Sequence, residues 1–209
     1  MKTSMATCFY LFPLVLLFAS CVIPESNHVE PTYHLLSELQ SDRNDTSEIG
    51  RVSFYVRQVE LPSYLQESRL VSRPKQGLIE FTENDRWGEP LEEGIARVLG
   101  LNLSKRLDAL SYSVSPHRQK PSCMFELGIT VQRFERVDSQ TVLLDVLCDL
   151  HYADGVKHFP FATQVGFAQE SDARDPSREV LALSQALSQL SDFLAREVGV
   201  IQVDSSQDP

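Results

Sequence analysis

The chain has 209 residues, 42% hydrophobic and 23% charged, with a formal net charge of −10. This composition is globular, and the length suits one domain of ordinary size with its own core. The acidic balance argues against nucleic acid as a partner and against broad electrostatic docking on anionic lipid.

The chain opens with Met1-Lys2, an apolar run over residues 8–19, and then Phe18-Ala19-Ser20-Cys21. One basic residue, a short apolar stretch and small residues before a cysteine have the order of a secretory signal. The run is shorter than the ~20 apolar residues that a bilayer span needs. Residues 1–20 are therefore read as a lipoprotein signal peptide, with Cys21 the lipidated first residue of the mature chain. Residue 22 is Val, not the Asp of an inner-membrane retention signal. The expected location is the outer membrane, lipid-anchored and facing the periplasm. Cleavage removes one charged residue, Lys2, so the net charge of −10 becomes −11 over the remaining 189 residues.

Residues 21–31 hold two prolines and little periodicity, and read as a lipidated tether. The domain is expected over residues 32–201, with 202–209 a polar, disordered tail. Residues 33–36 form a short strand candidate, and 37–50 a polar loop. From Arg51 the pattern alternates, with Val52, Phe54 and Val56 on one face, which is a strand. Residues 70–72 and 77–81 look like short extended pieces. Pro90 opens a helix. Its stripe is Leu91, Ile95, Val98, Leu99, Leu103, Arg106 and Leu110. Residues 124–136 alternate, with Phe125, Leu127, Ile129 and Val131 on one face. Residues 141–152 do the same with Val142, Leu144, Val146, Cys148, Leu150 and Tyr152. Asp154-Gly155 is a two-residue hairpin signal leading to a strand over about 158–168. Asp175-Pro176 then caps a second helix, with Leu183, Leu187, Leu190, Leu194 and Val198 inward. The fold class is α/β: a mixed, largely antiparallel β-sheet with two main amphipathic helices packed on it, in a single domain.

Two cysteines, Cys123 and Cys148, remain beyond the lipidation site. A hairpin turning near residues 137–140 puts Cys148 opposite about residue 129. That leaves the two thiols about 20 Å apart along the strands, too far for a disulfide unless a bulge or another register closes the gap. Centring the next hairpin on Asp154-Gly155 puts His151 and His158 opposite each other, with Asp149 near. Two histidines and an acid could hold a metal; a cross-strand polar pair is the plainer reading. No phosphate loop, nucleophile elbow, His-Glu-x-x-His or Cys-x-x-Cys motif appears. No residue is singled out as catalytic, and no metal or cofactor is expected.

Three segments carry a resemblance. The first is Val59-Glu60-Leu61-Pro62-Ser63-Tyr64-Leu65, followed by Leu70-Val71-Ser72-Arg73. The second is Arg86-Trp87-Gly88-Glu89-Pro90-Leu91, leading to Arg97-Val98-Leu99 and Asn102-Leu103. The third is Arg133-Phe134-Glu135, then Val142-Leu143-Leu144-Asp145. Together with the signal and the C-terminal helix, they make the chain resemble the PqiC-like family of ABC-type transport auxiliary lipoproteins. The resemblance implies a non-enzymatic role as a docking subunit of an intermembrane phospholipid conduit built from MCE-domain proteins. A periplasmic lipid-anchored hydrolase, and a carrier that itself holds acyl chains, are the alternatives; a homo-oligomer stays open. Tyr64, Arg69 and Arg73 follow a proline turn, and aromatic and guanidinium groups suit protein interfaces. They are candidate partner-binding residues, or else a buried Tyr and ion-paired Arg that hold an irregular loop. Trp87 is a fourth candidate, or a core contact against the helix's first turn.

Overall fold

The computed structural model describes residues 29–39, 52–116, 120–168 and 175–205, and its main compact unit begins at Pro31. The signal, Cys21 and most of the tether lie outside the described residues. Eight strands form one mixed sheet: β1 (Thr32–His34), β2 (Ser53–Val56), β3 (Arg69–Lys75), β4 (Leu78–Trp87), β5 (Ser111–Val114), β6 (Phe125–Arg136), β7 (Thr141–Tyr152) and β8 (Gly155–Gly166). The three longest strands, β6, β7 and β8, form an antiparallel meander. On its other side β6 pairs in parallel with β2 near its start, and through Ser72↔Arg136 with β3 at its end. β5 extends the sheet beyond β2 and β1 extends it beyond β4, both in parallel.

Two helices cover one face. Helix α1 (Leu91–Arg106) lies against β2 and β5; helix α2 (Pro176–Ser205) lies against β6, β7 and β8; and the two touch each other. The side chain of Asp175 caps α2, accepting from the backbone N–H groups of Ser177 (3.1 Å) and Arg178 (3.3 Å). Leu183, Leu187, Leu190, Leu194 and Val198 are all buried, and Ile201 continues the stripe. The predicted inward sets of β6 and β7 are buried too, apart from half-buried Tyr152. Arg106 belongs to the α1 stripe through chemistry: its Nε lies 2.7 Å from Asp192 of α2 and its Nη2 2.6 Å from the Ser188 hydroxyl.

Several expectations need correction. The pieces at 70–72 and 77–81 are parts of one hairpin, β3–β4, closed at Gln76-Gly77, where Gly77 takes φ +78°. Two register shifts break its alternation, and Pro74 sits within β3. Leu110 is 62% exposed because α1 ends at Arg106; Asp108 turns left-handed (φ 45°) and Leu110 donates to the Val52 carbonyl. The chain then enters β5, a strand the pattern gave no sign of. Helix α2 runs to Ser205, past Val198, the last residue of the expected stripe.

The β7–β8 loop is Ala153-Asp154, with Gly155 paired to Tyr152. That moves the register, so His151 faces Val156, and His158 faces Asp149 instead of His151. His158 Nδ1 sits 2.6 Å from Asp149 Oδ1, a cross-strand polar pair. Among the described residues, no group of three or more His, Cys, Asp or Glu side chains is placed to hold a metal. Cys148 pairs with Ile129, and both Cys123 and Cys148 are free thiols.

Leu99 and Leu187 have no exposed surface. Truncating either to Ala should cost about 2–5 kcal/mol, read as a lower midpoint in urea unfolding; an unchanged midpoint refutes this packing. Burial pushes the Cys148 thiol from 9.0 up to about 12. A raised folded value means this stability is complete below pH 9 and is lost as pH rises towards 12. Native protein should therefore leave Cys148 unlabelled by a thiol reagent at pH 7 and react there only on unfolding.

Candidate functional site

The first and third resemblance segments meet at one carboxylate. β6 and β7 slip by one residue between Val131 and Arg133. This bulge advances the phase of β6, so Phe134 joins the core opposite Leu144 and Glu135 turns to the face away from the helices. Glu135 nevertheless has no exposed surface, because a 3₁₀ turn (Ser63–Leu65) closes over it. The Tyr64 hydroxyl donates to Oε2 at 2.7 Å, and the Phe134 N–H donates to the same oxygen at 3.1 Å. Arg133 Nε (2.8 Å) and Arg73 Nε (3.3 Å) share Oε1, and the Arg73 guanidinium lies 5.0 Å over the Tyr64 ring. Burial first, and then the Glu135 carboxylate, push the Tyr64 hydroxyl far above its ordinary range, so it stays a donor.

The second segment forms a bend between β4 and α1. Trp87 is 8% exposed and belongs to the core, and its backbone N–H donates to the Ser68 carbonyl. The Gly88 N–H donates to His34, tying down β1. Arg97 reaches back from α1 to Glu89 at 2.5 Å and to the Leu36 carbonyl at 2.9 Å. Gly94 leaves room for this: a Cβ there would stand 2.9 Å from Glu89 Oε1.

A third polar group lies on the face of the sheet away from the helices. Arg57 lies flat over Gly128, where a Cβ would collide with the guanidinium, and faces Asp149 (3.5 Å) and Glu126 (3.9 Å). Lys120 also pairs with Glu126. Beside the 61–66 turn, a depression of about 240 Å³ is lined by Gln58, Val59, Glu60, Leu61, Gln66 and Glu92. Two carboxylates and two amides in that lining suit polar contacts and not an acyl chain.

Of the four candidate partner residues, the structure brings Tyr64 and Arg73 together over Glu135. Arg69 stands apart, stacked 4.5 Å over Phe81 with its guanidinium 3.5 Å from Glu67. Trp87 faces inward. Glu135, Glu89 and Arg97 stand inside the quoted segments, but sequence alone assigned them no role. The signal that could have found Glu135 is an acid set at the end of an otherwise apolar strand.

The family model for the ABC-type transport auxiliary lipoprotein component matches residues 33–195, which include all three segments. The chain belongs to this lipoprotein family. The intermembrane transport lipoprotein PqiC of Escherichia coli K12 is 26% identical over 158 residues, covering 75% of this chain and 81% of that protein. The protein of the same name from Shigella flexneri matches equally. Among solved structures, an uncharacterized protein aligns with TM-score 0.66 at 23% identity, over 81% of this chain and 99% of that one. A Xanthomonas campestris protein aligns with TM-score 0.65 at 15% identity, over 84% and 100%. These two likenesses establish the fold. The family description is of a transport auxiliary component, not an enzyme, and among the described residues no helix is long and apolar enough to cross a membrane.

Glu135→Ala in this auxiliary lipoprotein should cost about 3 kcal/mol. That is the low end for breaking a buried ion pair, because Arg73 and Arg133 keep one side in water. Tyr64→Phe should cost about 1.5–3 kcal/mol, the range for a hydrogen bond to a charged group. Urea midpoints within error of wild type for both would mean that the carboxylate does not hold the turn.

Proposed function

We propose that this protein is an outer-membrane-anchored docking subunit of an MCE-type intermembrane phospholipid transport system. Residues 1–20 are its signal, Cys21 its lipidated first residue, 21–31 its tether, 32–201 its working domain and 202–209 its tail. The observation that carries this reading is the match to an intermembrane transport lipoprotein across 75% of the chain, in a family described as a transport auxiliary component. The lipid attaches the protein from the periplasmic side, and the domain meets a periplasmic MCE-domain protein.

Residues 61–73 form the contact with that partner. Arg69, with 38% of its side chain exposed, is the cation that reaches it. Tyr64 and Arg73 fix the turn beside it through Glu135, and Trp87 fixes the neighbouring bend. Preorganised loops on a rigid sheet lose less entropy on binding than mobile ones do. Work as a docking subunit requires no catalytic residue, cofactor or metal.

Cys21→Ser should leave a protein that no longer partitions with membranes; fractionation identical to wild type would sink the anchor. Wild-type protein purified from envelopes should bring an MCE-domain protein with it, and an empty pull-down would refute the docking role. Arg69→Glu should lower that yield about fivefold, the effect of roughly 1 kcal/mol at an interface rim. Arg73 is not a suitable site for the same reversal, since a second carboxylate against Glu135 would open the turn.

A further inference from the structure

One register row crosses three neighbouring strands: Tyr33 of β1 pairs with Arg86 of β4, and Arg86 pairs with Arg69 of β3. Paired residues share a face. Trp87 points into the core, so the Tyr33–Arg86–Arg69 row stands on the face away from the helices. Like charges directly opposite each other repel, and an acidic chain has carboxylates to spare for separating them. Among the described residues, the carboxylate beside Arg69 is that of Glu67, at 3.5 Å, and Glu67 is half exposed. Among the described residues no ion pair holds Arg86, and its Nη1 is buried with no hydrogen-bond partner. A guanidinium sealed from water on one side and short of a counter-charge attracts an anion on its open side more strongly than a fully hydrated one.

We propose that this row binds the headgroup of a zwitterionic phospholipid, phosphatidylethanolamine, with its phosphate on Arg86 and Arg69 and its amine at Glu67. Arg69 and Arg86 oppose each other at one register position of adjacent strands, and guanidinium groups bind the several oxygens of one phosphate in a way that a lone carboxylate does not exhaust. The net charge of −10 repels a strongly anionic surface, so a headgroup of zero net charge fits better than phosphatidylglycerol. Glu67 supplies the acid for the amine. Tyr33, 65% exposed at the end of the row, and Leu35, 54% exposed two residues further along the chain, suit the glycerol and first acyl carbons. The inference rests on the transport reading and adds to it the lipid class and the place of contact. Arg69 belongs to both the row and residues 61–73, which puts the headgroup at the margin of the proposed partner surface.

The test uses the full chain with Cys21→Ser, so that its own lipid does not interfere. ¹⁵N-labelled protein is titrated with dihexanoyl phosphatidylethanolamine below its critical micelle concentration, then with the phosphatidylglycerol analogue, then with inorganic phosphate. Saturable shifts centred on Tyr33, Arg69 and Arg86 are expected with the ethanolamine lipid. Arg86→Gln and Arg69→Gln should each weaken that binding about tenfold or more while melting like the parent. Glu67→Gln should weaken the ethanolamine lipid and leave inorganic phosphate unaffected. No saturation, or wild-type affinity in Arg86→Gln, overturns the site. Equal affinity for inorganic phosphate makes it a free-phosphate site, and tighter binding of phosphatidylglycerol overturns the zwitterionic assignment. Lipidated Arg86→Gln is pulled down in parallel: loss of lipid binding with the MCE partner retained is the expected pattern. If lipid binding fails in the parent while the partner still co-purifies, the headgroup site falls and the docking role stands.

Discussion

A carboxylate with no exposed surface organises the half of the sheet where the resemblance segments converge. Leaving Glu135 uncompensated there would cost several kcal/mol. Both of its oxygens are filled instead, one by two guanidinium groups and the other by a hydroxyl and a backbone N–H. The donors come from β3, β6 and the 3₁₀ turn, so the charge is satisfied only when all three are in place. The bulge near Gln132 is the backbone condition for this arrangement. Without that extra residue, Glu135 would fall on the face that α2 covers, away from Tyr64.

This division runs through the whole sheet. One face is apolar and closed by α1 and α2, and it holds nearly all the fully buried large side chains. The other carries ion pairs and a turn: Arg57 with Asp149 and Glu126, the Glu135 cluster, and the row from Tyr33 to Arg69. Charged side chains on an open sheet face also disfavour sheet-to-sheet aggregation. Whatever the domain recognises is offered polar groups already held in position by neighbours, which limits the entropy lost on binding.

The parts of this fold legible in the sequence are those with a local period. The α2 stripe, the β6 and β7 alternation and the Ile129↔Cys148 register follow from spacing and one turn. The β3–β4 hairpin was not legible as a whole, because Pro74 and two register shifts interrupt its alternation. β5 has four residues and pairs in parallel with β2, more than fifty positions away, and no local pattern encodes such a partner. The histidine pairing missed because Gly155 closes the ladder instead of forming the loop; moving the loop back one residue shifts every partner by two, so that Val156 and not His158 stands opposite His151. For the candidate site, the segments with Tyr64 and Glu135 were visible as words. Their meeting was not, since 71 positions separate the two residues.

The bend after β4 links the two faces of the sheet. Arg86 and Trp87 are successive residues on opposite faces, so anything that rotates the end of β4 moves the outer row and the core together. The same bend secures β1, a strand of only three residues at the edge of the sheet. Beyond its ladder with β4, the described attachments of this segment include Gly88 to His34, Arg97 to Leu36, the His34–Asp85 pair at 3.0 Å and Ser37 to Ser184. Short edge strands with few buried contacts open at lower free energy than central ones. Arg97 is held to Glu89 only because Gly94 leaves space beneath that carboxylate. A side chain at Gly94 would therefore loosen β1 and displace Tyr33 from the row with little change to the β6–β8 meander. The family-like Arg-Trp-x-Glu-Pro-Leu segment thus fastens β1 to the surface that β4 and β3 present.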